Sequence, residues 1–322
     1  MLPKKSSVKK LIIFILLFPL VLTFCGCKEQ ISEEDSPNVD LITFEDSLER
    51  VVSVPAGTKE AAVLDGCLAD IWNLSGGKIT AMTKDASKDF YLDFPDAVNL
   101  GTLGERDIEA LLSLNPSFVI ANSSLSSNIS LLSKLEKSNI TVAFFNISSF
   151  NEYLDTLNIC TDITGRKDLY EKNGVFMESK INSAKEVFFS ESVAEENNKY
   201  LLLGASPDTI TAKKSSSYIV GDMLRELGYK NIVDTDFSLL KELDTKLIAK
   251  EDPYRIFIVQ IGDDTEKSKE QVNAMFSENP EWRALTAFKE GRVHFLDKRL
   301  FSLKPNARWG ESYEILIDIL NK

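Results

Sequence analysis

Short apolar segments rich in β-branched residues recur along the chain and alternate with segments of helical periodicity. Several of them show little polar alternation, which is typical of strands buried on both faces of a largely parallel sheet. The predicted strands are Arg50–Val54, Ile79–Met82, Phe118–Ala121 and Thr141–Phe145 in the first half, and Tyr200–Gly204, Ile210–Ala212, Asn231–Val233, Arg255–Ile261 and Arg292–Leu296 in the second. The pattern predicts two α/β halves.

Helix signals between these strands have recognisable ends. Thr58 is the predicted cap of a helix that runs to the pair Gly76-Gly77, and Asp107 is the predicted cap of another. One sequence pattern occurs in both halves. Asp107–Pro116 and Asp244–Pro253 each place an acidic cap before a helix and a proline before a buried strand. This repeat favours duplicated lobes, although any αβ unit can end in this way.

A helical stretch from Ser149 to about Glu195 separates the halves, with a predicted break near Thr164-Gly165. From Arg166 onward the apolar residues, Phe176 among them, keep helical spacing. A helix of ~25 residues is about 38 Å long, which is enough to cross from one lobe to another. The absence of strand signals over this stretch favours a spacer between lobes over an ordinary surface helix.

The N-terminus carries a targeting signal. Four lysines precede the apolar run Leu11–Phe24, which is shorter than the ~20 residues of a membrane-spanning helix. The run ends in Cys25-Gly26-Cys27 and resembles a bacterial lipoprotein signal, with residues 1–26 removed and Cys27 lipidated. An uncleaved anchor helix and an ordinary secreted protein are the alternatives. The acidic residues 27–48 that follow predict a flexible tether.

Charge and rare residues exclude several classes of protein. Lys and Arg number 37 against 49 Asp and Glu, a net charge of −12, so nucleic-acid binding is not expected. A single histidine, His294, excludes metal sites that need two or three imidazoles, and its place in a strand pattern favours a structural role. Cys67 and Cys160 are expected to be buried free thiols rather than a disulfide pair.

The order of these segments resembles one family. The segments Arg50–Pro55, Asn99–Ala121, Tyr218–Val233 and Trp282–His294 resemble parts of the substrate-binding proteins of ABC importers for iron complexes and cobalamin. The resemblance implies two Rossmann-like α/β lobes joined by a single long connecting helix, with the ligand in the cleft between them. We therefore expect an N-terminal lobe at 49–150, a helical connector at 151–195 and a C-terminal lobe at 196–322.

In this arrangement the loops at the strand ends should line the cleft. Tyr91, Tyr218 and Trp309 are candidates for stacking on a bulky ligand, and Arg299 and Arg308 are candidates for anchoring an anionic group. The full set of candidate ligand-binding residues is Tyr91, Ser123, Ser206, Tyr218, Asp263, Arg299, Arg308 and Trp309.

The resemblance also implies a partner. Glu109 matches a glutamate with which the family's N-terminal lobe docks on the ABC permease, whose ATPase drives transport. The matching position in the second half holds Lys246, which puts a symmetric docking mode in doubt.

The resemblance also bears on the ligand. The positions matching the axial haem ligands of some members are Gly104 and the turn Gly262-Asp263, which disfavours haem. We expect a monomeric, non-enzymatic lipoprotein, tethered to the outer face of a membrane, that binds an iron–siderophore or corrinoid complex and has no cofactor of its own.

Two rival functions remain open. A sensor lipoprotein would bind the same ligand and pass the signal to another protein. A membrane-anchored α/β enzyme is disfavoured because the chain lacks G-x-S-x-G, P-loop and complete G-x-G-x-x-G motifs, although a catalytic carboxylate pair would be hidden among its acids.

Overall fold

The computed structural model describes residues 39–190 and 197–322. The predicted signal peptide, Cys27 and most of the predicted tether lie outside these residues. Within them, Val39–Lys322 cluster as one unit. No helix in the described part of the chain is both long enough and apolar enough to cross a membrane.

The first half forms an N-lobe around a parallel sheet of five strands in the order β5-β4-β3-β6-β7. A two-stranded antiparallel ribbon of β1 and β2 precedes it. The N-lobe elements are β1 (Leu41–Glu45), β2 (Val51–Pro55), β3 (Glu60–Val63), α1 (Gly66–Leu74), β4 (Lys78–Met82), α2 (Lys84–Asp89), β5 (Val98–Asn99), α3 (Ile108–Leu114), β6 (Phe118–Asn122), α4 (Ser126–Ile129), α5 (Leu132–Lys137) and β7 (Thr141–Phe145).

Two helical segments follow the N-lobe. Helix α6 (Phe150–Thr164) begins with a capping box of Ser149 and Glu152 and ends at Gly165, whose φ of 70° is left-handed. The second segment is continuous through α7 (Lys167–Tyr170), a π turn (Glu171–Val175) and α8 (Phe176–Ser190). The predicted break and the long helix after it are confirmed. The π turn shifts the helical phase, so Phe176 is 62% exposed although its spacing predicted a buried position.

The second half forms a C-lobe with parallel strands in the order β10-β8-β11-β12, and β9 pairs antiparallel with β8. Its strands and α-helices are β8 (Lys199–Ala205), β9 (Ile210–Ala212), α9 (Ile219–Glu226), β10 (Lys230–Asn231), α10 (Thr245–Glu251), β11 (Arg255–Gln260), α11 (Thr265–Glu278), α12 (Pro280–Ala284), α13 (Thr286–Lys289), β12 (Val293–Leu296) and α14 (Trp309–Leu320). Short 3₁₀ turns lie at Ser215–Ser217, Ile232–Asp234, Phe237–Leu240 and Asn306–Arg308, and a second π turn at Lys298–Ser302.

One hydrophobic core runs through both lobes. It includes Trp72 in α1, Tyr153 in α6, Phe257 in β11 and Trp309 in α14, and all four side chains are buried. Each lobe also has its own core on the other face of its sheet. The shared core packs the two sheets against the helices between them, and the carboxyl ends of their strands border a common cleft.

The structure differs from the sequence prediction at three places. Glu60–Val63 is a central strand rather than part of a helix from Thr58, because its alanines are buried between β4 and β6. The helix begins instead at Gly66, with Asp65 as its cap. The predicted tether includes strand β1, whose backbone pairs with β2. The predicted strand Asn231–Val233 becomes a two-residue strand followed by a 3₁₀ turn.

Candidate functional site

A cavity of about 180 Å³ lies between the two lobes. The N-lobe lines it with the loops that follow its parallel strands, and the C-lobe contributes residues that follow β12. Carboxyl ends of parallel strands meet at one edge of a sheet, where α/β proteins bind ligands. The residues that line this cleft cavity are Asp65, Cys67, Leu68, Asp85, Asp89, Phe90, Leu103, Asn122, Ile147, Leu303 and Lys304.

Two carboxylates of the N-lobe bind the start of helix α1: that of Asp65, which caps the helix, and that of Asp85, which lies in the first turn of α2. Asp65 Oδ1 accepts a hydrogen bond from the backbone N–H of Leu68 at 3.1 Å, and its Oδ2 accepts one from Asn122 Nδ2 at 2.9 Å. Asp85 Oδ2 accepts a hydrogen bond from the backbone N–H of Gly66 at 2.6 Å. The protein therefore uses its own acids to satisfy the first amide groups of the helix.

Burial raises the pKa of Asp65, and the nearby charge of Asp85 raises it further, although the hydrogen bonds from Asn122 and Leu68 oppose this shift. Asp85 Oδ1 is also buried, and no hydrogen-bond partner for it lies among the residues that the structure describes. The N-lobe side of the cavity thus holds two neighbouring carboxylates, and one of their oxygens, Asp85 Oδ1, accepts no hydrogen bond from the described residues.

Four charged side chains alternate across the rim of the cavity, and we call them the rim network: Lys88, Asp89, Asp263 and Lys298. Lys298 Nζ lies 3.1 Å from Asp89 Oδ1 and 3.6 Å from Asp263 Oδ1, and Lys88 pairs with Asp263. The Lys88–Asp263 and Lys298–Asp89 pairs both join the N-lobe to the C-lobe. Because Lys88 and Asp263 are exposed, water screens their charges and the pair adds little to stability.

A buried polar cluster joins the lobes beneath the rim. Arg299 Nη2 lies 3.0 Å from Asp70 Oδ2, and both side chains are only 13% exposed. Asn306 Nδ2 donates to the same Asp70 oxygen at 2.8 Å and to the Cys67 carbonyl at 3.1 Å. The Arg299 guanidinium also lies 4.3 Å from the centre of the Phe90 ring. These contacts hold the segment 297–308 of the C-lobe against helix α1.

The structure places some predicted ligand-binding residues beside the cavity. Tyr91 follows the lining residue Phe90 but is 80% exposed, and Ser123 follows the lining residue Asn122. Asp263 belongs to the rim network. Arg299 lies under the rim, where Asp70 already neutralises its charge. The predicted loops therefore border the cleft, but different residues on them line the cavity.

The structure does not bring the other four predicted residues to the cavity wall. Arg308 forms a two-pronged ion pair with Glu311, with donor–acceptor distances of 2.6 and 2.7 Å. Trp309 is 2% exposed and packs edge-on against Phe150. Ser206 bonds within its own turn, to Thr209, and Tyr218 packs against the shared core.

Sequence reasoning missed the acidic residues of the cavity, Asp65, Asp85 and Asp89. Asp65 follows β3, for which the sequence pattern predicts a helix. The pattern therefore gives no sign that Asp65 lies at the end of a strand. Asp85 and Asp89 lie just after the correctly predicted strand β4. The usable signal was the position of acids directly after buried strands.

The two predicted docking helices match in their local geometry. Helices α3 and α10 begin after the caps Asp107 and Asp244 and end at left-handed residues, with φ of 46° at Asn115 and 38° at Asp252. The exposed Glu109 and Lys246 lie at the second helical position of each. Within the described residues, both cysteines that remain are buried and free, as predicted.

Comparisons with known proteins agree with this architecture. The model of a family described as periplasmic binding protein matches residues 62–300. The putative ABC transporter substrate-binding lipoprotein YhfQ of Bacillus subtilis is 23% identical over 68% of this chain and 68% of its own. The Fe(3+)-citrate-binding protein YfmC of B. subtilis is 24% identical over 88% of this chain and 87% of its own.

A solved structure extends the likeness to the fold. The periplasmic catecholate-siderophore binding protein VctP from Vibrio cholerae matches with a TM-score of 0.66 and 15% identity. The match covers 88% of this chain and 99% of that one. The two-lobed α/β architecture is therefore shared across nearly the whole of a solved binding protein.

Proposed function

Because this chain belongs to the periplasmic binding protein family, a family of solute-binding transport proteins, we propose that it captures an iron–chelate complex between its lobes and delivers it to an ABC permease. The observation that carries the proposal is the cavity between the lobes, lined from both sides by residues that follow parallel strands. Such crevices are where α/β proteins bind ligands.

An iron–siderophore or a related ferric chelate is the proposed cargo, in preference to a corrinoid. Two observations support it: one relative is named as an Fe(3+)-citrate-binding protein, and one structural neighbour is named as a catecholate-siderophore binding protein. The cavity offers oxygen acceptors and one lysine, which can contact the organic shell of a chelate through hydrogen bonds.

The proposal includes anchoring and docking. Cleavage after Gly26 would leave lipidated Cys27 as the attachment point at the outer face of the membrane, and a relative that is named as a lipoprotein supports this. Glu109 is exposed on α3 and is free to contact a basic residue of the permease. The protein would work as a monomer that meets the permease and its ATPase.

Direct titration tests the proposal. The full chain in mild detergent would be titrated with ferric citrate, a ferric catecholate, a ferric hydroxamate, haemin and cobalamin, with binding followed by calorimetry. We expect saturable binding of at least one ferric chelate. Binding of cobalamin alone would replace iron with a corrinoid, and binding of none of these compounds would contradict the proposed function.

A further inference from the structure

The cleft cavity is smaller than the complexes proposed to bind there. Its volume of about 180 Å³ is below the ~300–1,000 Å³ of sites that enclose drug-sized ligands and close to the ~150 Å³ of a cavity that holds benzene. A whole ferric chelate therefore cannot enter while the lobes keep this distance. The lobes must part somewhere along the cleft before the proposed cargo can bind.

The base of the cleft is the part that the protein holds most firmly. Arg299 of the C-lobe pairs with Asp70 of the N-lobe, and Asn306 Nδ2 donates to the same carboxylate at 2.8 Å. These groups are largely buried, and separating a buried ion pair leaves its charges without partners, which costs several times more than separating an exposed pair. We therefore expect the base to stay closed when the lobes move.

The rim of the cleft is held by weaker contacts. Lys298 of the C-lobe pairs with Asp89 of the N-lobe, and Lys88 of the N-lobe pairs with Asp263 of the C-lobe. The Lys88 and Asp263 side chains are 45% and 65% exposed, so water can hydrate both charges as soon as they part. Asp89 also lines the cavity, so the rim network runs from the cavity wall to the solvent.

Asp263 is the residue on which the rim network depends. Its carboxylate pairs with Lys88, and its Oδ1 lies 3.6 Å from Lys298 Nζ. The hydrogen bond and the charge of Lys88 hold the pKa of Asp263 below its ordinary value of 3.8, so the carboxylate is ionised at neutral pH. Removal of this one charge leaves Lys88 without its partner and Lys298 with Asp89 alone.

We infer that the rim network is a gate: its pairs keep the empty cleft closed at the rim, and they part to admit the cargo while the buried polar cluster keeps the base together. The need for the gate to open rests on the proposed function, because it follows from the size of a ferric chelate. The closure of the empty cleft is a property of the protein alone and can be measured without any ligand.

Two buried thiols provide the test. Cys67 lines the cavity and is 8% exposed, whereas Cys160 lies in α6, is 2% exposed and does not line the cavity. N-ethylmaleimide is a small uncharged thiol reagent, so its rate of reaction with Cys67 measures how often the cleft opens at the rim. The full chain in mild detergent would be labelled without ligand, and mass spectrometry of its peptides would give a separate rate for each cysteine.

Asp263→Asn should open the gate. We expect Cys67 to react at least about threefold faster in this variant, the effect of losing weak ion pairs, and Cys160 to react at an unchanged rate. The difference measures access rather than thiol reactivity, because Asp263 is not among the charged residues that affect the pKa of Cys67. Raising the salt concentration from about 0.05 to about 1 M should accelerate Cys67 labelling more in the unchanged protein than in the variant, since salt screens exposed pairs.

Two further variants sharpen the test. Asp208→Asn removes the same charge from an exposed residue that pairs with Lys267 inside the C-lobe, and it should leave the labelling of Cys67 unchanged. Lys88→Gln removes the other side of the Lys88–Asp263 pair. It should accelerate labelling in the unchanged protein and add nothing to Asp263→Asn, because that pair is already lost.

The possible results separate the gate from the proposed function. An unchanged rate for Cys67 in Asp263→Asn would overturn the gate. Equal acceleration of Cys160 would also overturn it, because it would show a general loosening of the protein. Failure of every ferric chelate to bind in the calorimetric titration would overturn the proposed function, whereas the labelling rates would still decide whether the rim network closes the cleft.

Discussion

The two walls of the cleft are built differently, although both lobes have parallel sheets. The N-lobe wall consists of the starts of helices α1 and α2, which follow β3 and β4 directly and place Asp65 and Asp85 at the cavity. The C-lobe wall is the segment 297–308, which contains a π turn and a 3₁₀ turn and carries Lys298, Arg299 and Lys304. One wall is thus regular and mainly acidic, and the other is irregular and mainly basic.

The difference shows how similar folds can produce a two-sided binding site. A helix start directly after a strand holds its residues through backbone hydrogen bonds. The C-lobe segment depends instead on side chains such as Arg299, Asn306 and Trp309, which fix it to the N-lobe and to the shared core. We therefore expect changes in these side chains to affect the C-lobe wall first.

Trp309→Ala should produce the largest loss of stability. The side chain is fully enclosed and packs against Phe150, so its removal leaves a large cavity at the base of the C-lobe wall. The free energy of unfolding should fall by roughly 3–5 kcal/mol in a denaturant titration. Phe176→Ala, at an exposed aromatic residue, should change it by less than about 1 kcal/mol. A stable variant with weakened ligand binding would instead place Trp309 in the binding site.

Asp70→Ala should have the next largest effect, because it leaves the buried Arg299 without its carboxylate and removes one of the two acceptors of Asn306 Nδ2. Breaking one partner of a buried pair should lower the free energy of unfolding by roughly 3 kcal/mol. Asp168→Ala removes an exposed carboxylate paired with Arg166 and should leave the free energy of unfolding nearly unchanged, because water screens the pair. Equal effects of the two changes would show that Asp70 does not hold the walls together.

The lobes should respond to acid in opposite directions. Burial lowers the pKa of His294 in the C-lobe from 6.5 to about 4, and Arg255 adds to the shift. Between these values the unfolded chain binds more protons, so the free energy of unfolding should fall as the pH drops from about 6.5 to 4. For a half-buried ring we expect a loss of roughly 1–2 kcal/mol.

His294→Gln isolates this contribution, because the chain has no other histidine. The variant should lose the decrease between pH 6.5 and 5 in urea titrations at a series of pH values. An unchanged pH profile would show that His294 is not responsible.

In the N-lobe, burial raises the pKa values of Asp65 and Asp70 above 3.8. Asp65 and Asp70 therefore take up protons in the folded protein at a pH at which they are still ionised in the unfolded chain. This uptake raises the free energy of unfolding as the pH falls toward 3.8 and opposes the decrease that His294 causes.

Lys298→Ala should have the smallest effect on stability. It removes the pairs to Asp89 and Asp263 across the rim, which are partly exposed, so the free energy of unfolding should fall by about 1 kcal/mol or less. Lys322→Ala breaks a more exposed pair with Asp318 and should leave stability unchanged within about 0.5 kcal/mol. A loss above about 2 kcal/mol for Lys298→Ala would mean that the rim network, and not the buried cluster, joins the walls.

Much of the fold was predictable from the sequence, because buried parallel strands leave long apolar runs. Strands such as Phe118–Asn122 and Arg255–Gln260 and the break at Gly165 follow from such local signals. Strand β3 was not predictable in this way, since its alanines favour a helix until the neighbouring strands bury them.

The site was less predictable than the fold. The sequence indicated the loops that border the cleft, but it could not show that Asp70 neutralises Arg299 or that Trp309 is enclosed in the shared core. Both depend on contacts between residues more than 150 positions apart or on the packing of helices. The acids of the cavity were hidden because their chemistry is common throughout this acidic chain.

The two walls are proposed to enclose the ligand between them. Crystals of the full chain grown with the ferric chelate that binds in the titration, measured at the iron absorption edge, would locate the metal directly. We predict one strong anomalous peak at the rim of the cavity, beside the Asp89–Lys298 pair. An iron peak outside the cleft would contradict the claim.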